Sequence, residues 1–123
     1  MILVDTSVWV DHLRDGAPAL AVALEQGRVL THPFVLGELA CGNLKNRGEV
    51  LQLLGELPVA PMATDPEALD FIERRALMGR GIGYVDVHLL ASVALAGTAQ
   101  LWTRDKRLAA VAADLELAYA EQE

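Results

Sequence analysis

Apolar positions in this chain come in two alternating forms: short unbroken runs, and stretches in which apolar residues recur three and four apart. The first run, Ile2, Leu3 and Val4, stops at Asp5. A strand that short with no polar face is buried on both sides, as in parallel sheets covered by helices, and in open sheets of that class ligands bind just beyond the carboxyl ends of the strands. Asp5 sits at such an end. Residues 7–14 then carry Val8, Trp9 and Leu13 at helical spacing, with Asp11 and Arg14 three apart as a surface pair. Residues 18–26 repeat the pattern through Leu20, Ala21 and Leu24, and Gly27 closes it. A strand is expected over 29–31. Pro33 opens the helix PFVLGELACG, and a further helix over 47–57 turns Val50, Leu51, Leu53 and Leu54 inward. Pro58 and Pro61 bracket 59–60, which reads as an edge strand.

In the second half, Asp65 as N-cap, Pro66 and Glu67 announce a helix whose buried stripe is Leu69, Ile72, Ala76 and Leu77. The glycines of GRGIG, 79–83, read as a flexible connection; they lack the dinucleotide-binding spacing and follow a helix instead of a strand. Residues 84–96 are apolar nearly all round, which marks a helix packed on most sides. A strand over 100–103, a helix with Leu108, Ala109 and Ala112 inward, and a last strand over 117–120 complete the chain. The βα alternation predicts a three-layer α/β/α sandwich with a central, mostly parallel sheet, in one domain covering 1–123.

Composition narrows the function. Apolar residues make up 53% of the 123 residues, above the usual share, so some are expected to cover a partner. A net charge of −7 argues against binding nucleic acid by bulk electrostatics, though the basic residues are grouped: Lys45 with Arg47, Arg74 and Arg75 with Arg80, and Arg104 with Lys106 and Arg107. Cys41 is the single cysteine, which excludes a disulfide framework and a cysteine zinc site and implies a reducing cytoplasm. No basic leader precedes the first strand, so no signal peptide is expected. The longest run without charge, 87–103, is shorter than the roughly 20 residues a spanning helix needs, so no membrane segment is expected.

The acids carry the chemistry. Asp5 reads equally well as the N-cap of the first helix, but Asp5, Thr6 and Ser7 are three cap candidates in a row, and one helix needs one. Glu38 falls between Phe34 and Gly42 and beside Cys41, on the apolar and small-residue face of its helix. Asp86 shares a stripe with Leu89, Leu90 and Val93, and Asp105 follows a strand end as Asp5 does. Asp86 read singly is a helix cap, and Asp105 a partner for Arg104 or Lys106. Taken together the four need cations, because two like charges about 4 Å apart repel by roughly 4 kcal/mol at an effective dielectric of 20. An all-oxygen carboxylate set suits Mg²⁺ or Mn²⁺. His12, His32 and His88 have no metal spacing and read as structural or exposed.

The segments LVDTSVWVDHLR, PFVLGELACG, GYVDVHLLASVAL and LWTRDKRL, in this order and at this spacing, resemble the PIN domain ribonucleases, and among them the VapC toxins of bacterial VapBC toxin-antitoxin systems. The resemblance spans the whole chain. It implies a Mg²⁺- or Mn²⁺-dependent endoribonuclease whose metal-binding acids are Asp5, Glu38, Asp86 and Asp105, supported by hydroxyls at Thr6 or Ser7 and Thr103. One or two ions would act. It further implies an RNA substrate, with Arg104 and Lys106 as phosphate contacts, a VapB-like antitoxin, and a homodimer. Two other readings compete: a PIN-like domain that binds RNA or protein without catalysis, and a receiver-type signalling domain. The receiver needs an aspartate after its central strand, and none occurs between Asp15 and Asp65.

Overall fold

β1 (Ile2–Val4) is the middle strand of a parallel three-stranded sheet, with β2 (Val29–Leu30) on one side and β3 (Gln100–Trp102) on the other. The computed structural model describes residues 1–121. All of β1 is buried, as expected of a strand without a polar face. Its register pairs Ile2 with Val29 and Gln100, Leu3 with Leu30 and Leu101, and Val4 with Trp102. The amide of Asp5 extends the ladder by donating to the Trp102 carbonyl at 2.9 Å. Residue 5 and residue 103 therefore leave the sheet side by side.

The two expected outer strands shrink to single parallel bridges, Thr31 with Val59 and Leu101 with Ala118. Pro58 and Pro61 lack the amides that a longer ladder through Val59 would need, and only the Thr31 amide to the Pro58 carbonyl and the Ala60 amide to the Thr31 carbonyl, both 2.8 Å, are made there.

Seven helices occur among the described residues: α1 (Thr6–Asp15), α2 (Pro18–Glu25), α3 (Pro33–Ala40), α4 (Arg47–Glu56), α5 (Asp65–Arg75), α6 (Tyr84–Ala96) and α7 (Lys106–Asp114). They complete the α/β/α arrangement in two groups: α3 packs on α1 and α4, while α6 packs on α5 and on β3. The all-round apolar character of α6 is absorbed by the core, with Val87 through Val93 continuously buried.

Two helices sit rotated from the sequence expectation. In α4 only Leu54 is buried, and Leu53 is 64% exposed. In α5 the buried positions are Ala68 and Phe71 with Ile72 half-buried, while Leu69 is 57% exposed and Ala76 is the left-handed C-cap. The larger Phe71 ring decides which of two adjacent stripes turns inward, because it removes more apolar area from water than Leu69 would. The α5 N-cap is Thr64, not Asp65: Thr64 Oγ1 accepts from the Glu67 amide at 3.2 Å and Glu67 Oε1 accepts from the Thr64 amide at 2.9 Å. That leaves the Asp65 carboxylate for the Tyr84 hydroxyl at 2.7 Å and His88 Nε2 at 3.2 Å.

Candidate active site

Asp5 occupies the N-cap position of α1 with extended backbone, yet its side chain makes no capping hydrogen bond. The backbone carbonyl of Asp5 meets the amides of Val8 and Trp9 instead. The carboxylate, in a residue only 7% exposed, receives two hydroxyls on one oxygen: Ser7 Oγ donates to Oδ2 at 2.9 Å and Thr103 Oγ1 donates to Oδ2 at 2.7 Å. Each hydroxyl accepts from the backbone of the segment after β3, Ser7 from the Arg104 amide at 3.0 Å and Thr103 from the Asp105 amide at 3.1 Å. A hydroxyl has one proton, and both are spent on Asp5, so the 3.3 Å approach of Ser7 Oγ to Thr103 Oγ1 is proximity without a bond. Oδ1 of Asp5 takes no hydrogen bond among the described residues. The local N-cap alternative for Asp5 thus fails, and the reason is partly tertiary: the β1/β3 register brings the Thr103 hydroxyl, which joins that of the neighbouring Ser7 in holding the carboxylate.

The other three acids are arranged differently. Glu38 is exposed, not on the apolar face, since the buried stripe of α3 is centred on Val35 and Leu39. It opens toward the start of α1, where Thr6 Oγ1 donates to Glu38 Oε1 at 2.9 Å. Asp86, third residue of α6, is half-buried and accepts the Gly83 amide on Oδ2 at 3.1 Å. Asp105 is the N-cap of α7 and accepts the Leu108 amide on Oδ1 at 2.9 Å. Capping is therefore real for Asp105, and Asp86 supports its helix end in the same manner.

Electrostatics link the four. Burial holds the Asp86 carboxyl above its ordinary range, the bond from Gly83 opposes this, and the charges of Asp5, Asp105 and Glu38 raise it further. Among the described residues, no three His, Cys, Asp or Glu side chains converge closely enough to hold a metal ion between them. The donor set is nevertheless all oxygen and strongly anionic, and Mg²⁺ is commonly held through one or two carboxylates while it keeps several waters. The unengaged Oδ1 of Asp5, the free oxygen of a largely buried residue, fits such a cation in chemistry and charge.

The cations chosen from sequence divide. Arg104 donates to Asp11 at 2.7 Å and to Glu121 at 3.4 Å, and the bond to Asp11, foremost among the causes, raises its pKa. Lys106, first residue of α7, is exposed and forms no ion pair among the described residues. Asp11 is thus more than the Arg14 partner seen in sequence; the second link spans the chain from α1 to the end of β3, and local spacing carries no sign of it.

The histidines are structural, as expected. His12 Nδ1 accepts the Ala17 amide at 3.0 Å. His32 caps α3 by accepting the Phe34 amide at 3.0 Å, and burial, aided by His88, lowers its pKa to about 4. His88 is buried against Tyr84 and Phe34.

The sequence model of the PIN domain family matches residues 2–114. The chain is also 51% identical over 122 residues to the protein named ribonuclease VapC32 from two strains of Mycobacterium tuberculosis, CDC 1551 and H37Rv, with 99% of this chain and 98% of the relative covered in each case.

Proposed function

The chain belongs to the PIN domain family, and on that premise we propose that it is an endoribonuclease, the toxin of a VapBC-type pair, acting with Mg²⁺ or Mn²⁺ in the cytoplasm. The observation that carries this reading is Asp5: a carboxylate at the carboxyl end of the central strand, oriented by Ser7 and Thr103, buried, and free of the capping work its position suggests. The ribonuclease name of the Mycobacterium relative supports the reaction class.

In this reading Asp5 and Asp86 hold the cation, with Glu38 and Asp105 completing the negative rim. When bound, a divalent cation supplies Lewis acidity, lowers the pKa of water and offsets charge on the phosphate. Ser7 and Thr103 fix one oxygen of Asp5 so that the other stays directed, and Thr6 steadies Glu38. No serine, cysteine or histidine nucleophile is required. Lys106 meets an RNA phosphate, and Arg104 does so once its bond to Asp11 opens.

The partner side of the reading rests on apolar surface. A groove of about 340 Å³ lined by Trp9, Leu13, Leu24, Val50, Leu53 and Leu57 would receive an apolar segment of a VapB-like antitoxin. A homodimer would cover further exposed apolar side chains, among them Leu69 and Leu95; a monomeric mass by light scattering at micromolar concentration rejects the dimer.

The test is a gel of total RNA and tRNA incubated with the parent and with Asp5→Asn, with Mg²⁺ or Mn²⁺ and with chelator. Asparagine keeps the shape and an acceptor for the hydroxyls while removing the charge. Cutting by the parent with metal only, and at least about a hundredfold less by the variant, is expected. Equal cutting rejects the site, and RNA retained uncut by the parent supports binding without catalysis.

A further inference from the structure

Near the acids, most arginines are occupied: Arg104 by Asp11 and Glu121, and Arg80 by Asp114 at 2.7 Å. Arg107 differs. It is the second residue of α7, two after Asp105, and forms no ion pair among the described residues. Its side chain lies across Gly81 so closely that a Cβ on that glycine would stand 2.8 Å from Arg107 Cδ and 3.0 Å from Nη1. Gly81 has φ +81°, which side chains rarely tolerate, so the glycine serves both the turn and the close approach. The segment read from sequence as a flexible connection is therefore a bed for an arginine.

The same loop serves the acids. Arg80 ties it to α7 through Asp114, and two residues beyond Gly81 the Gly83 amide donates to Asp86. Arg107 and Asp86 are thus placed by one short glycine-rich segment, and Arg107 and Asp105 by one helical turn. In a chain of net charge −7, a guanidinium two residues after Asp105, held against Gly81 and without a carboxylate partner among the described residues, is available to an anion from outside, and its planar fork matches phosphate oxygens.

We propose that Arg107, held against Gly81, contacts a phosphate of the bound RNA beside Asp86 and Asp105, and is the main substrate-binding cation where sequence position points to Arg104 and Lys106. This rests on the ribonuclease reading above. The experiment measures affinity of a labelled single-stranded RNA across a salt series on the Asp5→Asn background, and kcat and KM on the active background. Arg107→Ala should weaken binding about tenfold, make the slope of log K against log salt shallower by about 0.7, and raise KM with kcat within about twofold. Arg107→Lys should restore part of the affinity, and Arg75→Ala, whose guanidinium lies over Phe71, should match the parent. Gly81→Ala should reproduce the loss and add nothing to Arg107→Ala; because Arg107 is exposed, the Arg107 variants stand even where Gly81→Ala lowers the melting temperature. Unchanged affinity and slope in Arg107→Ala while the parent cuts RNA overturns the inference alone, as does a slope change carried by Arg104→Ala instead. A parent that neither binds nor cuts RNA overturns the ribonuclease reading and the inference with it.

Discussion

Replacing Asp86 by Asn separates a charge held in an acidic pocket from a simple helix support. Both residues offer an oxygen to the Gly83 amide, now at 3.1 Å, so the variant keeps the support and loses the charge. The carboxyl is raised above 3.8 by burial first and by Asp5, Asp105 and Glu38 after the opposing bond from Gly83. An acid raised in the folded state weakens the fold once it ionises: the deficit is absent below the ordinary value and complete above the raised one. Asp86 is half-buried, so solvent screens the repulsion, and a net relief of about 1 kcal/mol is the reasonable scale. For a domain of this size that corresponds to about 4 °C. Asp86→Asn should therefore melt about 4 °C above the parent in chelator at pH 7 and low salt, match it near pH 3, and lose part of its advantage in high salt. Metal at a hundredfold excess over Kd should stabilise the parent by about 2.7 kcal/mol and the variant far less. Equal melting in chelator at pH 7, together with an equal metal response, refutes the shared acidic pocket and leaves Asp86 as a helix support only.

Thr103→Val removes the bond to Asp5 and the acceptor for the Asp105 amide, and should cost about 2 kcal/mol in melting experiments and lower kcat more than it raises KM. His32, buried with a pKa of about 4 against 6.5 unfolded, binds its proton mainly when unfolded between those values; stability should fall by up to about 3 kcal/mol as pH drops from 6.5 to 4, and His32→Asn, which keeps a capping acceptor, should flatten that slope in denaturant titrations. Leu53→Asp, at a side chain 64% exposed in the groove, should leave the melting temperature and RNA cleavage unchanged while weakening antitoxin binding measured by calorimetry.

Local pattern in the chain determines most of the elements of this protein and little of the site geometry. Periodicity and caps act within a few residues, so β1, α6 and the βα order can be read directly, with α6 observed over the very bounds its apolar run suggests. Which of two adjacent stripes turns inward on α4 and α5 is settled by what packs against them, and so Leu53 and Leu69 face solvent. Asp5, Asp86 and Asp105 are visible as odd residues at strand ends or helix starts, while Glu38 stands out only through an apolar-face placement that the structure overturns, and the states of the four are not visible. Asp5 and Asp105 look alike in sequence, each following a strand and preceding a helix; Asp105 caps and Asp5 does not. The difference is the sheet register, which sets Thr103 beside a residue 98 positions away, so that its hydroxyl joins that of the neighbouring Ser7 on one oxygen of Asp5. Arg104 with Asp11, and Arg107 with Gly81, arise in the same manner: hydrogen bonds and close contacts between distant segments form only after the strands have aligned them, and no spacing along the chain encodes them.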